Sequence, residues 1–254
     1  MKVSALFNKI EKLQGRKPWG HVLDAGTGPR SLAWLSTLRT ASLTAVTSQE
    51  VMAQSAPQAL ATPLRECDRI LVGNWADGGL LPGERFDTVV LDYVVGAIDA
   101  FAPYFQEGFL SQMASRTHRT LYVTGLEPYV PIVADDEVGQ FVGDLGRLRD
   151  ACTLLARERP YREYPAEWVS RRLQAAGMKV TDVTHFRIRS REQFLNSQLE
   201  ICEVRASRFE DRALAARMVE HIEAMRRRGE ALIVKHDGLP YGRDYVLKAQ
   251  APRR

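Results

Sequence analysis

The stretch Val22-Leu23-Asp24-Ala25-Gly26-Thr27-Gly28 decides the fold of this 254-residue chain. Short apolar residues lead into one acid, and two glycines separated by one residue follow it. A helical apolar spacing then continues over residues 29–38. This order predicts a buried strand, a tight glycine turn and a helix. Because glycine has no Cβ, a ligand can lie against the backbone of such a turn and near the helix amides.

Two other ligand-binding motifs fit the glycine turn less well. A dinucleotide fingerprint has the form G-x-G-x-x-G, but Ser31 stands at the third glycine position. A phosphate-binding P-loop ends in Gly-Lys-Ser/Thr, and this ending does not follow Gly28. A tight turn that binds no ligand stays open as the plainer interpretation.

Strand and helix patterns alternate on both sides of this turn. The predicted strands cover residues 21–25, 43–46, 69–73, 86–92, 120–124 and 178–188, and a seventh is expected within 231–234 or 245–248. The predicted helices cover residues 5–13, 29–38, 49–60, 100–116, 137–157 and 167–176. Such alternation predicts an α/β fold with a parallel sheet and right-handed crossovers.

The last third of the chain predicts further helices. Two capping boxes, Ser190 with Gln193 and Ser207 with Glu210, mark expected helix starts. The second box precedes an amphipathic pattern of apolar residues at 214, 218, 222 and 225. These helices are interpreted as packing elements.

The string from Asp24 to Gly28 resembles motif I of the class I S-adenosylmethionine (SAM)-dependent methyltransferases. Residues 161–188, with Ala176-Gly177-Met178 before a strand, are similar to the same family. The resemblance implies a Rossmann-like, doubly wound, seven-stranded, mostly parallel sheet with an antiparallel last strand and a helical insert between strands six and seven. It implies a single methyltransferase domain over 1–254, with an N-terminal helix (1–20), a cofactor-binding half (21–124), a substrate-binding half (125–254) and the insert at 190–228.

The resemblance also implies SAM as the cofactor and assigns residues to it. The turn would hold the methionine half, and the ends of the next three strands would meet the adenosine and the sulfonium. The expected cofactor-binding residues are Asp24, Ala25, Gly26, Thr27, Gly28, Thr47, Glu50, Asn74, Trp75 and Asp92. In this family an acid commonly stands at the position of Thr47 and binds the ribose, so either Thr47 or Glu50 is expected there.

Each of these assignments has a structural alternative. Glu50 could be an ordinary first-turn helix acid. Trp75 could be a core tryptophan instead of a ring that stacks on adenine. Asp92 could cap a loop. A cleft beside Asp24 is what the ligand-binding interpretation requires.

Residues for the chemistry and for the acceptor are expected after the later strands. The predicted catalytic residues are Tyr93, Asp99 and His185, and the predicted substrate-binding residues are Tyr104, Tyr129 and Arg149. A histidine has a suitable pKa for a general base, and arginine with tyrosine suits an acceptor that carries a carboxylate or phosphate. The chain lacks the Asn/Asp-Pro-Pro-Tyr motif of amino-directed DNA methyltransferases after its fourth strand.

Composition limits the remaining functions. Apolar residues make up 45% and charged residues 26% of the chain, which is close to the globular average. A net charge of +4, with acids interleaved among the late arginines, argues against nucleic acid as a partner. Three scattered cysteines favour a reducing compartment and predict no metal site.

The sequence therefore predicts a cytoplasmic methyltransferase that acts on oxygen or nitrogen of a small molecule. No membrane segment is predicted. A homodimer is an expected assembly. The alternatives that stay open are an RNA or protein methyltransferase, motivated by the arginines of residues 187–228, and a non-catalytic binding protein of the same fold, motivated by Thr47.

Overall fold

A seven-stranded sheet is present in the computed structural model, which describes residues 4–60, 62–130 and 134–252. The strands are β1 (His21–Asp24), β2 (Ser42–Thr47), β3 (Arg69–Val72), β4 (Phe86–Asp92), β5 (Thr117–Leu126), β6 (Lys179–Arg187) and β7 (Arg243–Gln250). Their order in the sheet is β3-β2-β1-β4-β5-β7-β6. Strands β1 to β5 pair in parallel, and β7 lies antiparallel between β5 and β6. The predicted α/β class and sheet type are confirmed.

Helices connect most of these strands. They are α1 (Ala5–Gln14), α2 (Pro29–Leu35), α3 (Glu50–Ala59), α4 (Val94–Ala97), α5 (Gln106–Arg116), α6 (Glu137–Leu155), α7 (Ala166–Ala175), α8 (Glu192–Ala206) and α9 (Arg212–His236), with a 3-10 turn at Ile98–Ala100. Since α8 and α9 lie between β6 and β7 in the chain, the predicted helical insert is present. It extends to His236, beyond the predicted end at residue 228.

The strand order reverses at β1, which has β2 on one side and β4 on the other. Val22 and Leu23 of β1 and Val89 and Val90 of β4 are fully buried, as expected for strands covered on both faces. In such sheets the connections leave β1 and β4 toward opposite faces, and a crevice opens at their carboxyl ends. The strand order therefore predicts where a ligand cavity should be.

The glycine turn after β1 is fixed by its neighbours. The N–H of Ala25 donates to the Val90 carbonyl over 3.1 Å, and the N–H of Thr27 donates to the Val46 carbonyl over 2.8 Å. Helix α2 then begins at Pro29, with Gly28 as its N-cap. Proline suits this first helical position because its fixed φ matches the helix and no N–H is lost from the hydrogen-bond pattern.

Both predicted capping boxes are wrong. Ser190 exchanges two backbone hydrogen bonds with Leu239, of 3.0 and 2.7 Å, and Arg191 is the N-cap of α8. Ser207 is instead the C-cap of α8. Asp211 caps α9, since its carboxylate accepts the N–H groups of Ala213 and Leu214. A carboxylate at this position also interacts favourably with the positive end of the helix dipole.

Two other element predictions are corrected. Residues 231–234 belong to helix α9, so the seventh strand is the other predicted segment, extended to Arg243–Gln250. Four consecutive apolar residues look alike in a buried strand and in a partly buried helix, which explains the error. Helix α2 ends at Leu35 instead of Leu38.

The chain forms two compact units. Unit 1 comprises Met1–Leu126, Glu163–His185 and Tyr245–Arg254, and unit 2 comprises Glu127–Arg162 and Phe186–Asp244. The core of unit 1 surrounds β1, β4 and β5, and the core of unit 2 is built from α6, α8 and α9. The predicted halves, 21–124 and 125–254, differ from these units because two later segments belong to unit 1.

Candidate functional site

A cavity of about 330 Å³ lies in unit 1 at the carboxyl ends of β1 to β4. Four chain segments line it, one at the carboxyl end of each strand. They contribute Ala25, Gly26 and Thr27 at β1, Val46, Thr47, Ser48, Gln49 and Met52 at β2, Gly73, Asn74 and Trp75 at β3, and Asp92, Tyr93, Val94, Ala97, Ile98 and Phe101 at β4. Its volume falls within the range of small-molecule sites.

Asp24 holds the turn through hydrogen bonds and is not among the residues that line the cavity. Its carboxylate is fully buried, and Oδ2 accepts hydrogen bonds from the Thr27 hydroxyl over 2.7 Å and the Ser31 hydroxyl over 2.8 Å. Burial, together with the charge of Asp92, raises the pKa of Asp24 to about 7, against the opposing effect of these hydrogen bonds. The acid thus fixes the conformation of the turn.

The two glycines of the turn differ in their surroundings. A Cβ on Gly26 would lie 2.5 Å from Cβ of Val94, so this valine covers one side of Gly26. A Cβ on Gly28 would meet no heavy atom of the described residues within 4 Å. Gly26 still borders the cavity, so a cleft lies beside the turn that follows Asp24, although Asp24 itself does not line it.

At the end of β2, Gln49 borders the cavity and Glu50 does not. Glu50 is the exposed first residue of α3, as the helix-acid alternative predicts. Thr47 is buried, and its hydroxyl accepts the N–H of Gln49 over 3.2 Å. Gln49 was not among the residues predicted from the sequence. Its position directly before a helix, two residues after a strand end, is the signal that would have indicated it.

Asn74 and Trp75 form the wall after β3. The Asn74 side chain donates to the Phe101 carbonyl over 2.8 Å and accepts the N–H of Ala76 over 3.0 Å. Trp75 is 4% exposed, and its indole N–H donates to the Ala25 carbonyl over 2.6 Å. Trp75 therefore belongs to the core and borders the cavity at the same time, so its two proposed roles are compatible.

Asp92 is the single charged side chain among the residues that line this cavity in the described part of the chain, and they include no lysine or arginine. The Thr124 hydroxyl donates a hydrogen bond to Oδ1 of Asp92. Tyr93 follows in the left-handed region, with φ at +52°, and is the N-cap of α4. A cavity with one carboxylate and no cation favours a cationic or neutral ligand and disfavours a phosphate.

Tyr93 lines the cavity, whereas the other two predicted catalytic residues do not. The buried carboxylate of Asp99 accepts the N–H of Tyr104 over 3.1 Å and the side-chain amide of Gln106 over 3.0 Å. His185 is exposed on β6, with its ring centroid 6.4 Å from that of Tyr245. Asp99 thus supports the turn before α5.

The predicted substrate-binding residues lie in different places. Tyr104 is in unit 1, 82% exposed, with φ at +66°. Tyr129 and Arg149 contact each other in unit 2, where the guanidinium donates to the tyrosine hydroxyl over 3.1 Å. Arg149 also donates to Gln198 over 3.0 Å and pairs with Asp150. Their roles toward an acceptor stay predictions.

Two further properties concern metals and membranes. Within residues 4–60, 62–130 and 134–252, no group of three or more His, Cys, Asp or Glu side chains is arranged to hold a metal ion. No helix in this part of the chain has the length and apolar character needed to cross a bilayer.

The fold is similar to that of solved structures. A Bacillus halodurans protein provisionally described as a methyltransferase superposes with a TM-score of 0.61 at 14% identity, over 98% of this chain and 99% of its own. Magnesium protoporphyrin IX methyltransferase from Synechocystis, solved with S-adenosylhomocysteine (SAH) bound, gives 0.52 at 15% identity, over 97% and 80%. The [4+2]-cyclase SpnF gives 0.54 at 15% identity, over 98% and 81%.

At these identities the similarity establishes the fold, which is that of the class I methyltransferases. No protein-family model matches the chain, and no curated protein matches it by sequence.

Proposed function

We propose that this chain is a SAM-dependent methyltransferase that acts on oxygen or nitrogen of a small-molecule acceptor. The observation that carries the proposal is the cavity beside the glycine turn, in which Asp92 is the one carboxylate among the described lining residues. The cavity lies at the carboxyl ends of β1 to β4, where α/β sheets of this kind bind ligands. A cationic nucleoside fits this charge, whereas a phosphorylated nucleotide does not.

The residues that would hold SAM follow from the walls of the cavity. The backbone of Gly26 and Thr27 faces the space in which the methionine half would lie. Trp75 offers an apolar wall to adenosine, and Asn74 has one lone pair on Oδ1 beyond the one that Ala76 uses. Gln49 is the proposed ribose contact, because it lines the cavity two residues after Thr47, at whose position the family commonly has an acid.

When bound, SAM supplies a methyl group on a cationic sulfur that is activated for in-line displacement. Asp92 stabilises positive charge in the cavity, and the Thr124 hydroxyl holds its carboxylate in place. Tyr93, next to it, is the proposed residue that positions the acceptor or takes its proton. Its left-handed backbone costs on the order of 1 kcal/mol, and such strain is typical of functional sites.

A small-molecule acceptor is favoured over RNA by the ion pairs of unit 2. Arginines in its helices pair with acids. Arg205 meets Glu158 over 2.8 Å, Arg226 meets Glu203 over 2.5 Å, and Arg228 of α9 meets Asp144 over 2.9 Å. RNA-binding faces carry uncompensated cations and exposed aromatic rings. The arginine-rich segment therefore gives little support to an RNA substrate.

The second candidate is a member of this fold that binds SAM without transferring its methyl group. Thr47, in place of an acid, and Val94, which covers one side of Gly26, favour this candidate. One of the similar structures is named as a cyclase, so the fold is not restricted to methyl transfer. The lost ribose contact would weaken binding by about 1–3 kcal/mol without abolishing it.

Calorimetric titration with SAM and with SAH tests cofactor binding. Both ligands should bind the wild type. Asp92→Asn should weaken SAM binding about fivefold more than SAH binding, because SAM alone carries the sulfonium charge. Asp99→Asn is the matched control, since Asp99 lies outside the cavity lining, and it should change the two affinities equally.

Failure of both ligands to bind at millimolar concentration would end the proposal. If they bind, labelled SAM incubated with small-molecule extracts separates the two candidates. Methyl transfer to a small molecule supports the enzyme, and binding without any transfer, with protein and RNA acceptors also negative, supports the second candidate.

A further inference from the structure

A second and larger cavity, of about 610 Å³, lies in unit 1 at the amino ends of the parallel strands. Its walls include Lys17 and Pro18 before β1, Arg85 before β4, and His118 and Arg119 at the start of β5. These positions are at the amino ends of the parallel strands, whereas the site proposed above is at their carboxyl ends. The second cavity therefore has no part in the methyltransferase proposal.

Cationic side chains surround this cavity, and no aspartate or glutamate is among its lining residues in the described part of the chain. Arg119 is compensated, since Nε lies 3.1 Å from Oδ1 of Asp87. Arg85 donates to the neutral Thr117 carbonyl over 3.1 Å. Within the described residues, neither Lys17 nor Arg85 forms an ion pair. Two positive charges thus face the cavity without an acidic partner.

A buried lysine adds to the positive charge in this region. Lys248 of β7 is 8% exposed, and Nζ donates to the Leu13 carbonyl over 2.5 Å. Burial lowers the pKa of Lys248, and the charge of Lys17 lowers it further, against the effect of Asp182. The fold thus holds like charges near one another, and an anion in the cavity would relieve this repulsion.

The cavity also has an apolar wall. Ala114 at the end of α5 and Met178 before β6 are both buried and line it, together with Pro18. A simple inorganic anion would leave this wall and most of the volume unused. We propose that the cavity binds a small organic phosphate ester, with its phosphate near Lys17 and Arg85 and its apolar part against Ala114 and Met178. Lysine and arginine are the side chains that recognise phosphate.

The test uses the full chain with phenyl phosphate as the probe, because this ester lacks the adenosine that the other cavity is proposed to bind. Inorganic phosphate and phenol each retain one half of the probe. Phenyl phosphate should bind more tightly than either in a calorimetric titration. In amide NMR spectra it should shift Ser115 and Thr117, and leave Asn74 and Tyr93 unchanged.

Charge-neutralising variants identify the cations. Lys17→Gln and Arg85→Gln should each weaken phenyl phosphate binding about fivefold. Glutamine at 85 retains a donor for the Thr117 carbonyl. Lys12→Gln and Arg39→Gln are matched controls, because both side chains are exposed and lie outside the cavity. Circular dichroism and Tm confirm that all four variants fold.

Three results would overturn the proposal. The first is no binding of phenyl phosphate at about 10 mM, which corresponds to an affinity weaker than about −2.7 kcal/mol. The second is an equal loss of affinity in the control variants, or amide shifts at Asn74 and Tyr93 instead of Thr117. The third is binding of inorganic phosphate as tight as that of the ester, which would leave no role for the apolar wall.

Discussion

The side chain of Val94 occupies the position that a β-carbon on Gly26 would take, with only 2.5 Å between that β-carbon and Cβ of Val94. Gly26 follows β1, and Val94 is the first residue of α4, after β4. The glycine in this turn therefore serves packing between two chain segments as well as access to the cavity. Ligand binding alone does not explain why the position needs glycine.

Gly26→Ala should destabilise the fold by about 1–3 kcal/mol, since the added methyl group overpacks a buried contact. Gly28→Ala is the matched control, because a β-carbon there has free space and its φ of −124° suits alanine. Its cost should stay below about 1 kcal/mol. Urea unfolding of both variants measures the difference.

A double-mutant cycle tests the cause. Val94→Ala removes the methyl groups that would meet the new side chain, so the double variant should be more stable than the sum of the single effects by about 1–2 kcal/mol. Additive effects would show that the cost of alanine at position 26 arises from something other than Val94.

The buried carboxylate of Asp24 predicts a pH dependence of stability. Its folded pKa, about 7, lies above the unfolded value of 3.8, so the folded state retains the proton that the unfolded state loses. The contribution of Asp24 to stability is therefore full below about pH 4 and decreases by roughly 4 kcal/mol as the pH rises to 7. Asp24→Asn abolishes this titration.

Urea unfolding of the wild type and Asp24→Asn at pH 5 and pH 8 checks this prediction. The stability of the wild type relative to the variant should be lower at pH 8. Asp68→Asn should show no difference between pH 5 and pH 8 and the opposite sign below pH 4, because hydrogen bonds from Arg65 and Leu43 lower the pKa of Asp68 to about 2 despite its burial. Its carboxylate loses its stabilising effect as the pH falls from about 4 toward 2. A pH-independent difference for Asp24→Asn would contradict the raised pKa.

Gln49 and Glu50 offer a direct test of which side chain reaches the ligand. Gln49→Ala should weaken SAH binding about fivefold, because the lining amide loses a hydrogen bond to the ligand. Glu50→Ala should change it less than about twofold, since Glu50 is exposed and lies outside the cavity lining. Calorimetry measures the SAH affinity of the two variants. A larger loss for Glu50→Ala than for Gln49→Ala would indicate that Glu50 contacts the ribose.

Asp211→Ala should destabilise unit 2 by about 1 kcal/mol, because two N–H groups at the start of α9 lose their acceptor. Ser207→Ala should have a much smaller effect, since its hydroxyl donates to the Val204 carbonyl within the preceding helix. Thermal or urea unfolding compares the two. A larger loss of stability for Ser207→Ala would indicate that Ser207, and not Asp211, caps α9.

Local patterns predicted the parts of the fold that depend on local interactions. The segment from Val22 to Gly28 carries strand, turn and helix signals within a few residues, and the structure has all three. Strand β4 was also predicted, from the run Val89-Val90-Leu91, whose three residues are fully buried. The position of the cavity followed from the order of strands and helices, since parallel strands end at one edge.

Contacts between distant residues were beyond such patterns. The packing of Val94 on Gly26 joins segments 68 residues apart in the chain (94 − 26), and no local spacing encodes it. The choice of Asp211 over Ser207 depended on where α8 ends, which tertiary packing decides. Gln49, in extended backbone directly before α3, lines the cavity, whereas Glu50, the first helical residue, does not, and the local sequence pattern does not distinguish these two neighbours.

The carboxylate of Asp92 has a consequence for competition between nucleotides. Adenine nucleotides share the adenosine moiety of the proposed cofactor, but they carry several negative charges on phosphates. Among the described residues the cavity lining has one carboxylate and no lysine or arginine, so we expect the cavity to disfavour these competitors by charge.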